Sequence, residues 1–141
     1  MQYLGLDLGT KTLGVAISDK TNTLAVPLEL IKFKFEDYDE AISKLINIIE
    51  KNSIKDVVLG LPKNMDNSMG FASIRSLNFK EKLEKIGLNV YLEDERLTSV
   101  TAINILKESG KKNIKGLEKT DIISAQLILD SFLKRKAYEK K

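Results

Sequence analysis

Cysteine and histidine are both missing from this 141-residue chain. Without cysteine there is no disulfide framework, no thiolate zinc site and no cysteine nucleophile, and the composition agrees with a reducing cytoplasm. Without histidine the commonest general base and the commonest transition-metal ligand are gone. Any hydrolytic chemistry must then rest on carboxylates, lysines, hydroxyls or hard metal ions. Also missing are an apolar run of about 18 residues and a charged start followed by an apolar stretch, the marks of a membrane span and of a secretory leader. A cytoplasmic protein with no membrane partner is expected. The length suits one domain over residues 1–141, large enough to bury a core without staples.

What charge there is lies unevenly. The formal net charge is only +3, yet residues 36–50 carry Glu36, Asp37, Asp39, Glu40 and Glu50 against Lys44 alone. Residues 107–119 carry five lysines against Glu108 and Glu118, and Lys134, Arg135, Lys136, Lys140 and Lys141 follow. A basic downstream half suits approach to a phosphate backbone, and it equally describes a solvated lysine-rich surface.

Residues 2–8, 13–18 and about 24–34 read as strands, the first two joined by the turn Gly9-Thr10-Lys11-Thr12 and so antiparallel. Ile42, Leu45, Ile46 and Ile49 recur at helical spacing between Glu36 and Lys51, and residues 56–61 form a short buried strand stopped by Pro62. A helix carrying Ile74, Leu77, Phe79 and Leu83 runs towards Gly87, and a fifth strand covers 88–93. Val100, Ile103 and Leu106 mark a further helix, residues 110–119 a polar loop, and Ile122, Ala125, Leu129, Phe132 and Leu133 the buried stripe of a last helix over about 120–136. The order describes a mixed sheet flanked by helices, an α/β architecture.

In Leu4-Gly5-Leu6-Asp7-Leu8 the alternation sends the leucines to one face and Gly5 and Asp7 to the other. A carboxylate in a sheet centre is expensive unless paired or coordinated to a cation. Asp94 and Glu95 end the fifth strand and Asp121 opens the last helix. Strand ends on one edge are where α/β proteins build ligand sites, so Asp7, Glu95 and Asp121 are expected to converge. Each has a plainer alternative: Asp7 as a partner of Lys11, Glu95 as part of a solvated turn, and Asp121 as a complement to the helix dipole behind Thr120.

Four segments, GLDLGTKTLGVAISD, VVLGLPKNMDNS, YLEDERLTSVTA and TDIISAQLILDSFL, resemble in order the motif blocks of the YqgF/RuvX family. These are Holliday-junction-resolvase-like proteins to which pre-16S rRNA nuclease activity is ascribed. The resemblance implies a ribonuclease-H-like fold, a five-stranded mixed sheet in the order 3-2-1-4-5 flanked by helices. It also implies a nuclease that uses Mg²⁺ or Mn²⁺, with two ions in the substrate complex. Its catalytic and metal-binding positions fall on Asp7, Glu95 and Asp121. Related resolvases often carry a further acid three positions beyond the last of these, where this chain has Ser124, and Asn67 stands where the family commonly shows glycine.

Two-metal phosphodiester hydrolysis needs oxygen ligands and no histidine, which suits the composition. Contacts to nucleic acid are expected from Thr10 and Lys11 in the first turn and from Arg96, Thr98 and Thr101 at a helix start. Lys63, Asn64 and Arg75, together with Lys111 and Lys112 of the basic loop, complete the set. The function implied is 5′-end maturation of precursor 16S rRNA, with cleavage of four-way DNA junctions as the alternative and a non-catalytic nucleic-acid-binding protein as a further one, acting as monomer or homodimer. GLDLGTKTLGVAISD also resembles the phosphate loop of actin-like and sugar-kinase ATPases, but those need a second such domain, and no second GxDxG occurs.

Overall fold

The computed structural model describes residues 1–62, 70–95 and 114–139, with the backbone alone over 114–121. Three strands come first, β1 (Tyr3–Leu8), β2 (Thr12–Ser18) and β3 (Ala25–Lys32). Helix α1 (Tyr38–Lys51), strand β4 (Asp56–Leu61), helix α2 (Phe71–Lys85), strand β5 (Asn89–Asp94) and helix α3 (Ile114–Glu139) follow. The sheet order is β3-β2-β1-β4-β5, as expected. β1 pairs antiparallel with β2, and β2 with β3, whereas β1, β4 and β5 run parallel, so those three strands end at one edge.

The alternation in β1 sorts the two layers. Leu4, Leu6 and Leu8 join Val57 and Leu59 of β4 in a core closed by Ala41, Ile42, Leu45 and Ile48 of α1 and Phe79 and Leu83 of α2. Asp37 caps α1, its Oδ1 accepting from the Glu40 N–H at 3.1 Å. On the other face Ala16 and Val58 pack against Ala125, Ile128, Leu129, Phe132 and Leu133 of α3.

Two expectations need correction. The inward face of α2 is Ser73, Ser76, Phe79 and Leu83, while Ile74 is exposed. The Ser73 hydroxyl donates to the Pro62 carbonyl, so the first turn is set by a hydrogen bond to the end of β4 rather than by apolar contact. Helix α3 begins at Ile114, so the latter half of the expected polar loop 110–119 is helical. Its two glycines and lysines suggest a loop locally, but the segment continues a helix anchored downstream by a large apolar face. The helix expected around Val100, Ile103 and Leu106 lies outside the described residues.

What brings α3 onto the sheet is Gly5. A Cβ there would stand 2.6 Å from Leu129 Cβ and 2.7 Å from the Ala125 carbonyl oxygen, so strand and helix backbones touch where the side chain is missing. Further along, Phe132 packs on Tyr3 and Tyr91 with ring centroids 5.5 and 5.3 Å away. An alanine at position 5 would gain about 0.4–1 kcal/mol by restricting the unfolded chain. It would meet a helix backbone that cannot step aside, and overpacking of that kind costs about 1–3 kcal/mol. Gly5→Ala should therefore lower the urea midpoint with little change in m-value; an unchanged midpoint would mean that α3 does not rest on Gly5.

Candidate active site

Asp7 is the penultimate residue of β1, on the α3 face. Its register partner on β2 is Gly14, and one step beyond the Leu6↔Leu59 pair its neighbour on β4 is Gly60. The carboxyl is thus flanked by glycine on both adjoining strands, with no Cβ from either side. Gly60 in turn pairs with Glu93 of β5. Glu95 follows directly after β5, where its N–H donates to the Leu61 carbonyl at 3.2 Å, and its side chain is buried.

Glu95 leans back over Gly60. A Cβ built on Gly60 would come within 2.5 Å of Glu95 Oε1, 2.7 Å of Glu95 Cγ and 2.6 Å of Ile128 Cδ1. In that position the Glu95 carboxyl reaches Asp7 and the two side chains share a hydrogen bond. Carboxyl groups bond to one another only through a proton. Burial, reinforced by that hydrogen bond and by the negative charge of Glu95, holds the Asp7 carboxyl well above the usual carboxylate range. The alternative in which Asp7 pairs with Lys11 is excluded: Lys11 is exposed in the turn and among the described residues has no ion-pair partner.

The course of α3 bears on Asp121. Phe132 meets Tyr3 and Leu129 meets Gly5, so α3 runs antiparallel to β1. The backbone of residue 121, one turn before Ala125, lies further along in the direction of Asp7. Among the described residues no group of three potential metal ligands gathers, and the Asp121 side chain is not among them. Ser124, at the fourth acidic position, is buried.

Of the expected nucleic-acid contacts, Thr10 and Lys11 stand at this edge in a turn fixed by its backbone. Gly9 N–H donates to the Thr12 carbonyl at 2.8 Å, and the Lys11 and Thr10 carbonyls accept from Phe33 at 2.9 Å and Glu36 at 2.8 Å. Arg75 lies in the early turns of α2, which covers the opposite face of the sheet. Lys63, Asn64, Arg96, Thr98, Lys111 and Lys112 lie outside the described residues.

Three residues that the sequence reading did not single out shape the site. Gly14 and Gly60 are isolated glycines inside strand patterns, a signal of close approach that could have been used. Glu93 shares the α3 face with Glu95, but it is neutralised there. It is only 4% exposed, accepts from Ser131 Oγ at 2.8 Å and ion-pairs with Arg135, so it ties β5 to α3.

Comparison with known proteins bears on the family and the fold. The model of a family described as "RuvX: Holliday junction resolvase" matches residues 1–135. A relative from Aster yellows witches'-broom phytoplasma, named "Putative pre-16S rRNA nuclease", is 46% identical over 132 residues, 92% of this chain and 87% of the relative. One of the same name from Staphylococcus carnosus is 41% identical over 134 residues, 94% of each. Among solved structures, Thermus thermophilus RuvC in complex with a Holliday junction substrate superposes with a TM-score of 0.61 at 14% identity, covering 97% of this chain and 96% of that one. The fowlpox virus Holliday junction resolvase gives 0.59 at 15%, covering 96% and 99%. At such identities the likeness establishes the fold, and it is the ribonuclease-H-like one expected.

The raised Asp7 carboxyl fixes a sign. The native state holds a proton that the unfolded chain releases near pH 3.9, so this contribution to stability is fully present below about pH 4 and is lost as pH rises through the native value. In EDTA, Asp7→Asn should flatten that part of the stability–pH profile and melt no lower than the parent at neutral pH. A variant that melts much lower would mark Asp7 as half of a structural pair instead.

Gly60→Ala separates geometry from stability. The added methyl meets side-chain ends that can give way, so destabilisation should be smaller than for Gly5→Ala, while Glu95 must leave its place. A displacement of about 1 Å in a catalytic group costs on the order of a hundredfold in rate. Thermal melts beside nuclease assays would show stability and cleavage falling together if Gly60 mattered only for packing.

Proposed function

The chain belongs to the RuvX family of Holliday junction resolvases, and we propose that it is a metal-dependent nuclease hydrolysing phosphodiester bonds in structured nucleic acid, acting in the cytoplasm as one domain over residues 1–141. The substrate favoured is the 5′ end of precursor 16S rRNA, in keeping with the names of its relatives. The observation that carries the proposal is the Asp7–Glu95 pair: two carboxyl groups held within one hydrogen bond of each other at the edge where three parallel strands end.

The pair suits a hard divalent cation. Its donors are oxygens only, and burial with the Glu95 carboxyl alongside holds Asp7 well above the usual carboxylate range, the mark of charges gathered for a positive partner. Asp7, Glu95 and Asp121 are the residues proposed to hold Mg²⁺ or Mn²⁺, with two ions in the complex with substrate. Bound there, the ions would polarise the phosphoryl oxygens and lower the pKa of water.

The chain's own residues supply the rest. Asp7 would release its proton to solvent on binding a cation, Gly60 leaves Glu95 room to stay level with Asp7, and Lys11 neutralises a phosphate oxygen from the exposed turn. Thr10, Lys63, Asn64, Arg75, Arg96, Thr98, Lys111 and Lys112 are proposed to grip the phosphate path. Ser124 leaves the site with three carboxylates. Cleavage of four-way DNA junctions is the second reading, favoured by the family's description and by the fold shared with the two resolvases.

The test is cleavage of a precursor 16S rRNA fragment and of a four-way junction, each in Mg²⁺ and in Mn²⁺, by the parent, Asp7→Asn and Glu95→Gln. The parent should cut the rRNA precursor, and both variants should be at least about a hundredfold slower while binding it within a few-fold of the parent in EDTA. Symmetric paired cuts in the junction alone would favour the resolvase reading. Binding without cleavage under either metal would favour the non-catalytic one, and parental rates in Asp7→Asn would exclude this carboxylate site.

A further inference from the structure

At the opposite end of the sheet from Asp7 a second groove lies between the β2–β3 hairpin and the last turns of α3. Its volume is about 580 Å³, within the range of small-ligand sites. Lys134 and Tyr138 form one wall, Thr23 and Leu24 the other, with Tyr3 and Leu133 beneath. Tyr3 and Asp7 are four residues apart on β1, so the groove begins about 13 Å along the strand from the carboxylate pair.

The chemistry on the two walls differs. On the helix side Lys134 and Tyr138 are one turn apart and share a face. Tyr138 is 79% exposed and, among the described residues, makes no hydrogen bond or ring contact. Among the described residues Lys134 is paired only with Asp130, at 2.9 Å, with the lysine largely in solvent, a kind of pair that exchanges readily for another anion. Lys136 lies behind them, its Nζ 5.5 Å from the Tyr3 ring centroid, 5.6 Å from that of Tyr91 and 5.7 Å from that of Phe132. That lysine therefore occupies the faces of the aromatic trio, and the ring left open is Tyr138.

On the hairpin side the wall is preorganised. Asp19 Oδ1 accepts from the N–H groups of Thr23 at 2.8 Å and Leu24 at 3.2 Å, Asn22 takes the left-handed φ of 56°, and the Ser18 hydroxyl donates to Asn22 Oδ1 at 2.6 Å. Leu24, 58% exposed, is thereby held facing the groove.

We propose that this groove binds an unpaired nucleotide segment, with a base stacked on Tyr138 against Leu24 and a flanking phosphate on Lys134. An open aromatic face beside cations is the pattern by which single strands are held without sequence preference. A purely electrostatic patch would need no exposed ring, and a purely apolar docking groove would not carry a lysine on its wall. The inference takes up the reading of the chain as a nucleic-acid-processing protein, but it concerns a surface remote from the carboxylates.

The test uses the full chain in EDTA with twelve-residue oligonucleotides, ribo and deoxyribo, carrying 2-aminopurine. Stacking on Tyr138 should quench the fluorophore on binding. Tyr138→Ala should abolish the quench and weaken binding about tenfold, and Lys134→Gln should reduce the magnitude of the log-salt slope by about 0.7. Both positions are exposed, so melting temperatures should not move. Unequal affinity of the two oligonucleotides would distinguish RNA from DNA as the occupant, and either outcome supports the groove. No quench in the parent, or a quench and affinity untouched by both substitutions, would overturn it whatever the cleavage assay shows. A quench lost in Tyr138→Ala from a protein that cuts nothing in Mg²⁺ or Mn²⁺ would instead leave the groove standing and remove the nuclease reading.

Discussion

Bringing the carboxyl groups of Asp7 and Glu95 into one hydrogen bond opposes two unfavourable effects at once, the desolvation of a charge and the repulsion of a like one. Much of the sheet edge is arranged around that conflict. The parallel run of β1, β4 and β5 aligns the strand ends, and glycines flank Asp7 on both adjoining strands. The Glu95 backbone is pinned to Leu61 so that its side chain must turn inward over Gly60. The raised affinity of Asp7 for a proton relieves the conflict in part, and a divalent cation would relieve it more completely.

The same face shows how differently a neighbouring carboxylate is treated. Glu93 sits two residues from Glu95 on the same strand run, equally buried, yet it has its own guanidinium and hydroxyl from α3. One acid is neutralised within the protein and ties helix to sheet; the other is aimed at a second acid. Burial does not separate the two roles, but the partners do.

Much of this was legible in the sequence because alternation in β1 is unambiguous: three leucines on one side leave Gly5 and Asp7 on the other, and the sheet follows that division. The strand order came with the family resemblance, and placing carboxylates at strand ends gave the expectation that Asp7 and Glu95 meet. What stayed hidden depends on contacts between distant segments. Ser73 and Ser76 face inward because the end of β4 offers Ser73 a carbonyl, so counting apolar residues put Ile74 on the wrong side. The extra turns of α3 were masked by glycines and lysines that, read locally, suggest a loop. Gly60 looked like a neutral strand residue until Glu95 was seen lying across it.

The docking of α3 on Gly5 also has a temporal side. β1 is among the first segments to leave the ribosome, and the helix that covers its Gly5 face is encoded after every other described element. At about 5–20 residues per second, that face waits on the order of ten seconds for its cover. The opposite face can begin to close much sooner, once α1 and β4 have emerged. A growing chain of this kind is half a sandwich, with an apolar surface open to chaperones and to other nascent chains. If the proposed site needs Asp7, Glu95 and Asp121 together, it would be inert throughout its own synthesis, since the last of the three is made long after the first.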